Sequence, residues 1–219
     1  MKHIGKSYDK VDAKGILSGK PSYTGDFVPK DALIIKVLRS PHAQAKIKSI
    51  DTSKAKLIPG VEAIFTYEDV PNTRFTLAGQ TYPEPSAYDA LILDPVVRYV
   101  GDEVALVVAK DEATALKAMP LIKVEYEVQK SVLDLRTAMD HETVVHPEDD
   151  ILNHIPVGQD YKRNICVSYH KRVGDIEGEL AKCDYVVEGT YFDQATRQSA
   201  MEPFQSFGYI DHLGRIVIV

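Results

Sequence analysis

The chain has 219 residues, 44 % apolar and 26 % charged, with 26 Lys and Arg against 32 Asp and Glu for a net charge of -6. At roughly 100–200 residues per domain it holds one large domain or two small ones, and its composition excludes collagen, coiled coil and outright disorder. The acidic balance argues against nucleic acid, and no run nears the roughly 18 apolar residues of a membrane span, so neither partner is expected.

Residues 1–20 are polar and Lys-rich without an apolar period, and predict an arm lying on something else. They lack the apolar core of a signal peptide. Residues 21–26 (PSYTGD) carry turn chemistry. The β-branched run from Ala32 to Arg39 predicts a strand, and residues 45–50 (AKIKSI) predict a second with one wet face. Asp51, Thr52 and Ser53 offer side-chain oxygens to cap a brief helix through Leu57. Pro59-Gly60 stops it before a third strand over 61–66.

Residues 71–95 form a long connection with four prolines, longer than the roughly 12–15 residues of an ordinary loop. A functional or partner-contacting segment and an idiosyncratic surface loop both fit it. Residues 96–99 and 103–110 (EVALVVAK) predict strands, the second being the strongest in the chain. Asp111 stands at an N-cap position, and the helix from Glu112 places Ala113, Leu116 and Met119 on one face until Pro120 limits it. Strict alternation over 124–128 closes this block as a strand.

Residues 130–165 change character. A helical stretch over 133–139 leads into a polar run with His141, His146, Glu148, Asp149 and Asp150. His141, His146 and His154 beside these acids suggest a metal, but their spacings fit no closed tetrahedral motif, so a solvated linker is preferred. A second block starts near Asn164, with strands predicted over 166–172, 185–192 and 206–210 and a short helix over 176–181. Asp211-His212-Leu213-Gly214 turns the chain into a last strand, 215–219. An apolar run with no polar tail after it is expected of a domain that continues elsewhere, and its open edge offers pairing to a second copy.

Chemistry is sparse. There is no P-loop, G-x-G-x-x-G, G-x-S-x-G or H-E-x-x-H. Cys166 and Cys183 form no C-x-x-C pair and read as reduced thiols of a cytoplasmic protein. Arg98 beside Asp102 and Glu103 reads as a strand arginine pairing with a turn acid.

Several segments, taken together and in order, resemble the large molybdopterin-binding subunit of the xanthine dehydrogenase/aldehyde oxidase family. They are Ile4-Gly5-Lys6-Ser7, Tyr23-Thr24-Gly25-Asp26, Leu38-Arg39-Ser40-Pro41-His42-Ala43, Pro59-Gly60-Val61, Val97-Arg98-Tyr99-Val100-Gly101-Asp102, Gly174-Asp175 and Met201-Glu202-Pro203. The implied fold is α+β (mixed α/β): an arm over 1–20, an α/β-hammerhead domain over 21–130, a linker over 131–164, and over 165–219 the incomplete start of the first molybdopterin-binding domain. The loop over 79–85 is more like the purine- and heterocycle-hydroxylating branch than the carbon monoxide branch.

The resemblance implies an N-terminal portion that serves as scaffold and interface. No catalytic, cofactor-binding or metal residue is assigned, because the family's Gly-rich loop, pterin-binding segments and base glutamate lie beyond this stretch. Molybdenum–molybdopterin belongs to the full-length enzyme, with iron–sulfur clusters and FAD in partner domains or subunits; none is expected on this chain alone. Its implied partners are the remaining molybdopterin-binding domains and the iron–sulfur and FAD subunits. Glu202 admits two readings, as a lining of the substrate channel or as an acceptor for backbone N–H groups beside the Met201–Pro203 turn. Gln198 stands where the family often has His, which removes titration near neutral pH. A stand-alone binding or assembly module that reuses the hammerhead fold is the alternative.

Overall fold

Residues 103–109 read EVALVVA, almost continuously apolar, as expected for a strand covered on both faces. A computed structural model, which describes residues 4–20, 23–78, 82–83 and 85–219, places them at the centre of a sheet. Among the described residues there are three short helices, α1 (Ala13–Leu17), α2 (Glu112–Ala118) and α3 (Ile176–Leu180). Its strands are β1 (Ile34–Arg39), β2 (Ala45–Asp51), β3 (Val61–Phe65), β4 (Val96–Val97), β5 (Glu103–Ala109), β6 (Lys123–Val128), β7 (Gly208–Ile210) and β8 (Ile216–Ile218). Two compact units result, one from Leu33–Asp184 and one from the described residues up to Ala32 with Tyr185–Val219.

In the Leu33–Asp184 unit, β1-β5-β3 and β4-β2-β6 form two antiparallel three-stranded sheets. On one side of β5, Ala105, Val107 and Ala109 pack with Ile64, Ala115, Ala118 and Ile122. On the other, Val104 joins Ala45, Ile47 and Val97. Leu38, Ile50 and Val124 touch both clusters and make one continuous apolar interior. This is the mixed α/β fold expected of a hammerhead domain.

Asp111 caps α2 as its position predicts, accepting the Thr114 N–H at 2.8 Å. The buried face of the helix differs from the expected one. Ala115 and Ala118 face the sheet, while Leu116 is half-exposed and Ala113 exposed. Two alanines let the helix axis come close to β5, and the larger Leu116 is left at the rim. The helix ends at Ala118, before Pro120.

Other expectations narrow. The brief helix before Pro59 is a 3-10 turn, Ala55–Leu57. The stretch over 133–139 holds only the turn Leu135–Thr137, fixed by Asp134 accepting the Arg136 N–H. Residues 166–172 and 185–192 are neither helix nor strand, against the strands expected there. Alternation marks a residue set fit for a strand, and a strand also needs a neighbour to supply its ladder. Part of the loop over 79–85 and of the turn over 21–26 lies outside the described residues.

The other unit contains the β7–β8 hairpin. Asp211 closes its turn by accepting the Leu213 and Arg215 N–H groups at 2.8 and 2.9 Å. Both outer edges of this two-stranded ribbon are open, and Ile210, Ile216 and Ile218 are exposed.

Candidate functional site

An enclosed charge stands at Arg98, which directly follows β4. Its side chain is 10 % exposed. Nη1 donates to Asp94 Oδ2 at 2.7 Å and to the Val96 carbonyl at 3.0 Å, Nε donates to the Val145 carbonyl at 3.2 Å, and Nη2 donates to Glu148. Burial opposes the charge, but the two carboxylates outweigh it and hold the guanidinium pKa above its ordinary value. The turn acids expected to pair with Arg98 do otherwise. Asp102 accepts the Arg98 backbone N–H at 2.7 Å, and Glu103 pairs with Arg39 at 2.7 Å. Burial raises the Asp102 carboxyl. Tyr99 donates to Glu103 at 3.0 Å, and burial beside Asp102 pushes its phenol up to about 12.

The histidine-bearing stretch is tied down rather than solvated. Asn164, in the left-handed region at φ 58°, accepts the Val145 N–H at 2.8 Å and donates to the Ala138 and Thr143 carbonyls, each at 2.9 Å. Leu152 accepts the Tyr88 N–H at 2.9 Å, and Asp150 pairs with Arg74 at 2.9 Å. His146 is thereby drawn in, with Nδ1 3.5 Å from Glu148 and Nε2 3.9 Å from Asp89. Burial and then Arg98 lower its pKa, against the opposing pull of Asp89 and Glu148. Two cavities, of about 810 and 450 Å³, share Asp89 and His146 in their walls. The walls of the larger are mainly apolar and include Val132, Leu133, Leu135 and Val167. Sequence reasoning missed this assembly because Arg98 and Glu148 are fifty residues apart. The one available signal was the density of charge after His146.

Glu202 and Gln198 belong to the other unit. Both are exposed, in backbone outside helix and strand. Glu202 accepts the Thr24 N–H at 3.2 Å, and the Gln205 amide lies 2.9 Å from where a Cβ on Gly25 would stand. The Tyr23–Asp26 turn thus packs against the segment after Met201, two of the stretches that carry the family resemblance. Among the described residues no three His, Cys, Asp or Glu side chains converge to hold a metal ion. Nor does any nucleophile sit beside a base and an orienting group in the clusters above.

Residues 18–130 match the family model described as aldehyde oxidase and xanthine dehydrogenase, a/b hammerhead domain. The chain belongs to that family. It is 38 % identical to a probable hypoxanthine oxidase of Escherichia coli strain K12, over 95 % of this chain and 24 % of that protein. It is 28 % identical to the nicotinate dehydrogenase large molybdopterin subunit of Eubacterium barkeri, over 99 % of this chain and 46 % of that one. The aldehyde oxidoreductase of Desulfovibrio gigas superposes with a TM-score of 0.76 at 26 % identity, covering 98 % of this chain and 23 % of that chain. The chain therefore spans about a quarter to a half of the length of these relatives. No helix among the described residues is long and apolar enough to cross a membrane.

Proposed function

We propose that this chain is the N-terminal scaffold and docking portion of a molybdenum hydroxylase large subunit of the purine- or N-heterocycle-oxidising kind, without turnover of its own. The observation that carries this reading is the state of residues 185–192. Their sequence, YVVEGTYF, has strand composition, yet Tyr185, Val187, Tyr191 and Phe192 are each 85–92 % exposed. Apolar surface and unladdered backbone of this extent are surfaces that another polypeptide covers. The partner proposed is the remaining molybdopterin-binding part of the large subunit, with iron–sulfur and FAD subunits completing the enzyme. The identity to a hypoxanthine oxidase and to a nicotinate dehydrogenase subunit supports a purine or related heterocycle as the substrate class.

On this reading residues 21–130 are the hammerhead domain, residues 165–219 open the first molybdopterin-binding region, and residues 131–164 link the two. Metal analysis of the purified 219-residue chain, with turnover assays on hypoxanthine, xanthine and nicotinate, tests the proposal. Little molybdenum and no turnover are expected. Stoichiometric molybdenum or measurable turnover overturns it.

A further inference from the structure

We propose that the larger cavity of the Leu33–Asp184 unit is a binding site for an organic ammonium ion with an apolar body. At about 810 Å³ it falls within the roughly 300–1,000 Å³ of small-molecule sites, and the described residues of its wall lie between Pro85 and Val167. Its apolar lining comes from Val132, Leu133, Leu135, Val157 and Val167, with Tyr161 as the aromatic member. Val145 and His146 bring in the strap over residues 145–152. Arg98 holds that strap at Glu148, Lys162 holds it at Asp149 and Arg74 at Asp150. The wall is therefore formed before any ligand arrives, which spares a ligand the cost of ordering it.

Charge selects the class of ligand. Among the described wall residues there is no Lys or Arg, whereas Asp89 and Asp134 bring carboxylates. Asp134 is engaged with Arg136 at 2.7 Å. The Asp89 carboxylate makes only a 3.9 Å approach to Nε2 of His146. The arginines nearby are committed elsewhere. Arg74 pairs with Asp150 and donates to the Asp89 carbonyl, and Arg98 pairs with Asp94 and Glu148. Two cations thus already answer three carboxylates, and Asp89 is left as charge in excess. A ligand cation gains a charge-assisted partner there without displacing an existing one. A ligand anion meets like charge instead. The smaller cavity shares Asp89 and His146 but has Arg98 in its own wall, so a cation there would face the guanidinium.

Cys166 stands in the wall of this cavity and Cys183 does not, and both thiols are exposed, so a bound ligand shields one and leaves the other as a control. Alkylation of the full 219-residue chain by iodoacetamide, followed at each thiol by peptide mass spectrometry, is run with three probes of similar shape. At about pH 7.5 phenethylamine is a cation, phenethyl alcohol is neutral and hydrocinnamate is an anion. Phenethylamine is expected to slow alkylation of Cys166 several-fold at saturation and to leave Cys183 unchanged. The alcohol should need about tenfold more for the same effect, and hydrocinnamate should give none. Asp89→Asn should bring the amine down to the level of the alcohol, and Leu133→Ser, at an exposed position of the wall, should weaken both. Failure of the amine to protect Cys166, parallel slowing of Cys183, no advantage of amine over alcohol, or an advantage that survives Asp89→Asn overturns the proposal. Should Asp89→Asn fail to fold, the order of the three probes on the wild type decides.

Discussion

Arg98 donates from Nη2 to the carboxylate of Glu148, fifty residues further along the chain, and from Nη1 to Asp94 at 2.7 Å. The guanidinium is therefore the joint between the end of β4 and the strap over 145–152. Removing one member of an enclosed ion network leaves its partners charged and unpaired, which costs about 3 kcal/mol or more when burial is complete. Glu148 and Asp94 retain some access to solvent, so the lower end applies. Arg98→Ala is expected to lower unfolding free energy by about 3 kcal/mol in urea titration. Arg98→Lys should recover only part, since one ammonium cannot reach both acids and the Val145 carbonyl together.

Asn164 supports the same strap by a different device. Its backbone occupies the left-handed region, which Asn tolerates better than most residues, and its amide makes three hydrogen bonds. Asn164→Gly keeps the backbone and loses the bonds. Asn164→Ala loses the bonds and retains a Cβ where left-handed backbone costs roughly 1–2 kcal/mol. Alanine should thus be the more damaging substitution, by about that amount, when both are compared by chemical denaturation.

Glu148 gives the network a pH dependence distinct from that of His146. Burial raises its carboxyl, but its own backbone N–H and Arg98 outweigh this and hold the pKa below the ordinary value. Its contribution is therefore present above the unfolded value of about 4.3 and lost as pH falls through the folded one. Glu148→Gln should flatten the acid limb of stability below about pH 4 and, by removing an acid that attracts the imidazolium, move the His146 limb further toward low pH. Urea titrations at a series of pH values separate the two.

The strands of the two sheets were legible in the sequence because each carries its pattern locally. The EVALVVA run of β5 is apolar on both faces, and β6 alternates as an edge strand should. The same logic misled at residues 185–192, where composition predicts a strand but no neighbour supplies a ladder. The candidate site was hidden for another reason. Arg98 has three acids close by in sequence, Asp94, Asp102 and Glu103, and is expected from the sequence to pair with the last two, whereas the guanidinium takes Asp94. The tight turn at Gly101 instead sends Asp102 to the Arg98 backbone, which frees the guanidinium to reach Glu148. Only the tertiary fold decides between such partners.

Helix α2 offers a direct test of its facing. Ala115 and Ala118 are fully buried against β5, whereas Ala113 and Leu116 are at the surface. Ala118→Leu is expected to overpack the core and cost about 1–3 kcal/mol. Ala113→Leu should stay within about 0.5 kcal/mol of the wild type. Equal effects in thermal unfolding would place the apolar face on 113, 116 and 119 instead.

Glu202 can be tested without any activity. Its side chain accepts the Thr24 N–H at 3.2 Å and so links the 3-10 turn Thr24–Phe27 to the stretch after Met201. Gly25 lets that turn approach, since a Cβ there would meet the Gln205 amide at 2.9 Å. If the contact is a hydrogen bond first and a charge second, Glu202→Gln keeps it through the amide oxygen. Glu202→Ala removes it. Exchange of the Thr24 amide should then rise up to about tenfold in the alanine variant and stay near wild type in the glutamine variant. Loss in both variants would mean that the negative charge, and not the acceptor alone, secures the turn.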